Sequence, residues 1–335
     1  MKTNGIAWAG AILVPALWLS CQKPELESSL PQVPDHFPEP IYLLEEGPKT
    51  RALFLLGKNL FYDAELSSDK QVSCGSCHAQ THGFADHNIP LSAGVEGRLG
   101  MRNAPSIVNA AWNTHFMWDG GITHLDFVSV APFTHPDEMN LSMDEVVARV
   151  GINASYKKQF AEAFGSSTVT DARVLKALSA FMSRLISADS PYDRYLVTGQ
   201  GLSAAALKGL GIFRQHCTGC HSEPLTSNGG FHSNAWPSNL DVGRYRITEN
   251  PQDSGKFKVP SLRNVARTYP YMHDGTAKTL EQVVSHYNSL NASSGTEESN
   301  LPVQMNLSHE EQRNLISFLE SLTDEHFLSN PLFAP

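Results

Sequence analysis

Basic residues are scarce in this sequence: 25 Lys and Arg stand against 34 Asp and Glu, a formal charge of −9. Nucleic acid is usually met by a basic patch, so this balance argues against such a partner. It suits a positively charged redox partner without naming one. A run of bilayer length is also missing. The apolar stretch Ile6 to Leu19 follows Lys2 and falls short of the roughly 20 residues that span a membrane. It sits where a signal segment sits, over residues 1–20. Leu19-Ser20-Cys21 resembles the end of a lipoprotein signal, with a plain cleaved signal or an uncleaved anchor as alternatives. The Pro- and Glu-rich stretch that follows has little to bury, and residues 21–45 are expected to form a lipidated tether in the periplasm.

Cysteine is the other scarcity. There are five, and four fall into Cys74-Gly-Ser-Cys77-His78 and Cys217-Thr-Gly-Cys220-His221. That leaves no disulfide framework to propose. A thioredoxin-like pair needs no following histidine, and a zinc site would not be split between two distant motifs that each carry their own. C-x-x-C-H is the attachment motif of a c-type haem. Two thiols one helical turn apart meet the two vinyl groups, and the adjacent histidine falls under the iron. The sequence therefore predicts two haem c groups, with Cys74, Cys77, Cys217 and Cys220 attaching them and His78 and His221 as proximal ligands.

A chain of 335 residues is long enough for two domains, since one core seldom serves more than about 250. Helical apolar spacing over 50–62 (Leu53, Leu56, Leu60) leads into the first motif, and 203–215 (Ala206, Leu210, Phe213) leads into the second. Another helix is expected over 171–187. Thr279 with Gln282, and Ser308 with Glu311, have capping-box spacing. Residues 222–254 read as loop. The expected fold is mainly α, with two cytochrome-c-like domains over 46–190 and 191–325 that meet near Asp189-Ser190-Pro191.

The flanking residues go further. Leu56-Gly57-Lys58-Asn59-Leu60-Phe61-Tyr62-Asp63 precedes the first haem motif, and Arg102-Asn103-Ala104-Pro105-Ser106 and Phe116-Met117-Trp118-Asp119-Gly120 follow it. The second half carries Val259-Pro260-Ser261-Leu262-Arg263-Asn264 and Thr268-Tyr269-Pro270-Tyr271-Met272-His273-Asp274-Gly275. In order and spacing these closely resemble the bacterial di-haem cytochrome c peroxidase and MauG-like superfamily, over nearly everything from about residue 46 to 324. The resemblance implies a peroxidatic haem on His78 and an electron-transfer haem on His221, with Trp118 between them. Glu138, in Pro136-Asp137-Glu138-Met139, matches the family's distal acid. Such a carboxylate can take a proton from one peroxide oxygen and return it to the other if an apolar pocket raises its pKa.

One departure matters. Members that need prior reduction carry a histidine in the segment that matches Ser92-Ala93-Gly94-Val95-Glu96, and here Val95 falls in its place. Valine cannot bind iron, and the spacing of His82 and His87 does not match. The expectation is a site open in the resting ferric state. The distal ligand of the second haem falls to Tyr287, as in MauG-like members, with Met305 and His286 as rivals. By the same resemblance Asn103, Thr268 and Pro270 would hold one calcium ion. The implied function is reduction of hydrogen peroxide to water with electrons from a small periplasmic cytochrome or copper protein. The alternatives are MauG-like oxidation of a protein or small organic substrate, and electron carriage without catalysis. Dimers are common in the family.

Overall fold

The computed structural model describes Met1 and residues 30–44, 47–237, 241–290 and 305–335. The signal-like run and Cys21 lie outside the described residues. The fold is mainly helical. The first half contains α1 (Pro48–Tyr62), α2 (Cys74–Cys77), α3 (Val130–Thr134), α4 (Met143–Ile152), α5 (Ala154–Phe164) and α6 (Asp171–Met182). The second half contains α7 (Pro191–Thr198), α8 (Ala204–His216), α9 (Tyr245–Thr248), α10 (Leu280–Ser289), α11 (His309–Glu320) and α12 (Glu325–Ser329). Two short strands, β1 (Phe231–His232) and β2 (Phe257–Lys258), pair antiparallel with Phe231 opposite Lys258.

Each half is organised around one close helix crossing. Gly57 of α1 lies against α6, where an added Cβ would stand 1.9 Å from the Ala177 carbonyl oxygen. Gly209 of α8 lies equally close to the Asn314 carbonyl of α11, again at 1.9 Å. Only glycine allows backbones to approach so far. Phe54, Leu60, Phe61, Leu178 and Phe181 fill the first core, and Leu210, Phe213, Leu315, Phe318 and Leu322 fill the second.

Expected helix starts are met with small differences. Ser308 and Glu311 form a reciprocal capping box. Thr279 accepts from the Gln282 N–H, but the Gln282 side chain takes the Lys278 N–H instead, so that box is offset by one residue. Helix α6 stops at Met182, short of 187, because the chain turns to send the Ser187 hydroxyl and the Ala188 and Asp189 amides to Asp324. The 222–254 segment also holds more order than a loop, namely β1 and α9.

Residues 30–44 are not a free tether. Leu30 and Phe37 are buried. Phe37 packs edge-on to Trp112 of the first half and under the Arg263 guanidinium of the second. His36 bonds Asp193 at 2.8 Å, Arg184 donates to Pro31 O, and Trp112 donates to Pro38 O. This strap crosses both halves. Low hydrophobic content hid it, because backbone carbonyls and two rings make its contacts. The C-terminal tail crosses in the opposite sense. Phe327, Leu328, Leu332 and Phe333 join the first core, and Tyr62 and Lys58 of α1 donate to the carbonyls of Phe333 and Ala334.

The halves also repeat a backbone pattern. Pro105-Ser106 with Asn109 and Met117-Trp118-Asp119-Gly120 have the spacing of Pro260-Ser261 with Asn264 and Met272-His273-Asp274-Gly275. Asn109 and Asn264 are left-handed (φ 57° and 60°), as are Met117 and Met272 (65° and 72°). At the junction the bonds are reciprocal: the Asn103 N–H donates to His273 O, and the Lys258 N–H donates to Trp118 O, both at 2.8 Å. Trp118 and His273 are thus counterparts, as are Asn103 and Lys258.

Candidate haem sites and the distal acid

The first cysteine pair sits on α2, a single turn capped by Ser73, whose N–H is accepted by the Ser76 hydroxyl at 3.0 Å. The second pair follows directly from α8. The four motif cysteines form no disulfide. Burial pushes Cys74 up to about 12, Cys77 to about 11 and Cys217 to about 12. Thiols held protonated in apolar surroundings do not act as redox nucleophiles.

Each adjacent histidine is oriented through one ring nitrogen. His78 Nδ1 lies 2.8 Å from Phe84 O, and His221 Nδ1 lies 3.0 Å from Thr226 O. A ring that donates from Nδ1 presents Nε2 as a free lone pair, the usual arrangement behind a metal-bound imidazole. Desolvation lowers both pKa values, His221 to about 4, so both rings are neutral. The residues that supply these carbonyls are fully buried and left-handed, Phe84 at φ 54° and Thr226 at φ 56°. Bulky or β-branched residues seldom adopt that conformation, and such strain gathers at functional sites. Ser106 and Ser261 hold the two turns, donating to Gly83 O and Leu225 O. The donor sets fit haem c in both halves.

Glu138 stands on the tight turn after α3. Its N–H donates to His135 O, and its carbonyl accepts from Val95 N–H at 2.8 Å. The neighbouring Gly94 is pressed so close that a Cβ would come within 2.1 Å of Asp137 O. Glu138 is exposed, yet neighbouring protein atoms desolvate its carboxyl and raise its pKa; His135 pulls it down and Asp137 pushes it up. The Glu138 charge is felt at both Cys74 and Cys77. Val95 is fully buried in the first core. His82 and His87 stack edge-on at 5.4 Å, and His82 feels Arg267 rather than Glu138.

These two haem motifs and their surroundings match known proteins across most of the chain. The di-haem cytochrome c peroxidase family matches residues 51–201, and the cytochrome c family matches 206–323. The methylamine utilization protein MauG of Methylorubrum extorquens is 35% identical over 301 residues, covering 87% of this chain and 83% of that protein. The chain belongs to the di-haem cytochrome c peroxidase family. Cytochrome c551 peroxidase of Nitrosomonas europaea is 32% identical over 298 residues, with 86% and 85% covered. The solved structure of a MauG-like protein associated with microbial copper homeostasis has a TM-score of 0.80 at 32% identity, covering 90% of this chain and 97% of that one. Two covalent haems and oxidoreductase chemistry of the peroxidase type come with this family.

The remaining candidates fall at three places in this di-haem fold. Trp118 lies at the junction of the halves: its indole N–H donates to Asn103 O at 2.8 Å, and its ring stands edge-on to Phe257 and His273 at 6.4 Å each. Tyr287 lies beside the second motif. Burial pushes its phenol up to about 12, the Cys217 and Cys220 charges add to that, and Asn234 donates to the hydroxyl at 3.4 Å. Met305 is packed among the apolar side chains of the second core. His286 turns instead to Asn234 O at 2.8 Å and to the Trp236 ring. Asn103 is buried, and its amide nitrogen donates to Ile89 O and Pro90 O. Pro270 is buried and Thr268 half-buried beside Gly83. Sequence reasoning missed Phe84 and Thr226, which act through backbone carbonyls that no residue type advertises. It missed Asn234 and Lys258 too.

Proposed function

We propose that the protein reduces hydrogen peroxide to water at its N-terminal haem, with electrons passed through the C-terminal haem from a small periplasmic cytochrome or copper protein. The observation that carries this reading is a carboxyl with a raised pKa, Glu138, beside the first haem motif, with a buried valine on the segment packed against it. When bound, the haem supplies an iron centre that binds peroxide and gathers electrons. Glu138 as carboxylate takes the proton from one peroxide oxygen. As carboxylic acid it delivers that proton to the departing oxygen, and a raised pKa suits it to both tasks. Val95 offers no imidazole to block the iron, so the ferric protein is active without prior reduction. Trp118, bonded to one half and packed on the other, serves as the electron route between the haems.

Tyr287 would hold the second haem's iron opposite His221, favoured over Met305 by the Cys217 and Cys220 charges that act on its phenol. An oxygen ligand favours higher oxidation states than a thioether does. That observation supports a second reading, in which the same peroxide chemistry oxidises a protein or small organic substrate. Calcium would take Asn103 Oδ1, which has no hydrogen-bond partner among the described residues, with the carbonyls of Thr268 and Pro270. Cys21, if lipidated, would hold the protein at a membrane facing the periplasm. Steady-state peroxide turnover on the as-isolated ferric protein, with reduced cytochrome or an artificial donor, tests the main reading. Turnover without pre-reduction is expected; none under any donor leaves an electron carrier.

A further inference from the structure

Lys258 is a half-buried cation that the proposed chemistry does not use. It ends β2, at the place that the repeated pattern gives to Asn103 in the first half. The counterparts differ in how they are satisfied. Asn103 Nδ2 donates to two carbonyls. The Lys258 ammonium has no hydrogen bond or ion pair among the described residues. Protein atoms crowd it all the same, and desolvation lowers its pKa to about 8. Nor do its neighbours offer an anion. Lys258 and Arg244 both depress the pKa of His115, after desolvation, so all three lie in one neighbourhood. Arg244 sits 3.7 Å over the Phe231 ring and donates to a carbonyl, Asp119 O. The Asp119 carboxylate is taken by Arg102 at 2.6 Å and Arg246 at 3.7 Å. A partly desolvated ammonium among other cations is disfavoured unless an anion meets it.

We propose that Lys258 binds a propionate carboxylate of the C-terminal haem and fixes that haem's edge beside Trp118. The side follows from the chain. Strand β2 runs directly into Val259-Pro260, and the Pro260 carbonyl acts on the His221 ring together with that of Thr226. In the other direction, the Lys258 N–H is bonded to Trp118 O. A propionate is the anion that haem attachment at Cys217 and Cys220 brings to this place, and ammonium with carboxylate makes a strong charge-assisted bond. The inference takes that attachment as given and is independent of whether the protein turns over peroxide. Lys258 is a positioning residue: its charge favours the reduced haem, and its bond orients the edge nearest the interdomain tryptophan.

The test is spectroelectrochemical titration of the haem-loaded protein, with haem content checked by the alkaline pyridine spectrum. Lys258→Met is expected to lower the midpoint potential of the C-terminal haem and to leave the N-terminal haem less affected. Lys258→Arg, which keeps the charge, should stay near the parent value. An unchanged C-terminal potential in a fully loaded Lys258→Met protein overturns the proposal, and so does an equal fall in Lys258→Arg. Should the methionine variant fail to load haem, a crystal structure of the parent holoprotein decides. Nζ within hydrogen-bond distance of a propionate oxygen supports the assignment. Nζ turned to water, or to a phosphate or buffer anion, ends it.

Discussion

Replacing Glu138 with Gln removes a titratable oxygen and keeps the shape of the side chain. Positioned acid–base groups contribute roughly 10²–10⁴-fold to rate. That is about 2.7–5.5 kcal/mol of barrier at ~1.36 kcal/mol per decade. The surroundings argue for the middle of that range. Of the groups whose charge acts on Glu138, His135 has Nδ1 engaged by the Asp137 N–H at 3.2 Å. Asp137 itself is a neighbouring carboxylate and can relay a little. The expected loss in kcat/KM for peroxide is therefore about 10³-fold, with haem content and the resting spectrum unchanged. The pH dependence gives an independent reading. Proton abstraction needs the carboxylate, so the rate should rise with pH through a pKa above the ordinary 4.5, the direction in which desolvation moves it. Asp137 pushes that pKa further up, so Asp137→Asn should move the acid limb to lower pH. Steady-state kinetics of the ferric protein from pH 4 to 8 (roughly the range in which such groups titrate) measures both. A Glu138→Gln protein within about threefold of the parent, well under the range for such groups, would refute the role given to this carboxylate.

Three further outcomes follow from the fold and the second haem. Gly57→Ala and Gly209→Ala each place a Cβ 1.9 Å from a backbone oxygen; overpacking should cost about 1–3 kcal/mol or more, read by chemical denaturation of the holoprotein. Asp193→Asn breaks the buried pair with Arg263, whose side chains are 0% and 2% exposed, and should cost about 3–5 kcal/mol near neutral pH. Desolvation opposes ionisation of Asp193, but its bonds to Arg263 hold the pKa below the ordinary 3.8. The pair's stabilisation is thus full above that value and fades as pH falls through the folded pKa, so the gap between parent and variant should close in acid. Tyr287→Phe should alter the spectrum of the second haem, and an unchanged spectrum moves the ligand to Met305.

Much of the site was legible because its chemistry depends on residue type at fixed local spacing. Cys74, Cys77 and His78 form one turn, and the same turn recurs at Cys217. Glu138 was singled out through its flanking motif, and the helices before each haem motif were read from apolar periodicity. What escaped depends on distance or on the backbone. No pattern at 30–44 shows that Phe37 will lie between Trp112 and Arg263. Nor does the end of the chain reveal that Phe333 returns to the core of the first half. The carbonyls of Phe84 and Thr226 are available in any residue, and only the left-handed turn aims them at the histidines. Lys258 in sequence is one lysine among many; its isolation comes from the cations folded around it.

Peroxide reduction as proposed needs an N-terminal iron that Val95 would leave open and Glu138 would serve. Electron paramagnetic resonance of the as-isolated ferric protein, recorded before and after one equivalent of peroxide, tests this most directly. A high-spin signal that disappears on mixing, with no reductant added, is predicted. Low-spin six-coordinate spectra from both haems, unchanged by peroxide, would contradict it.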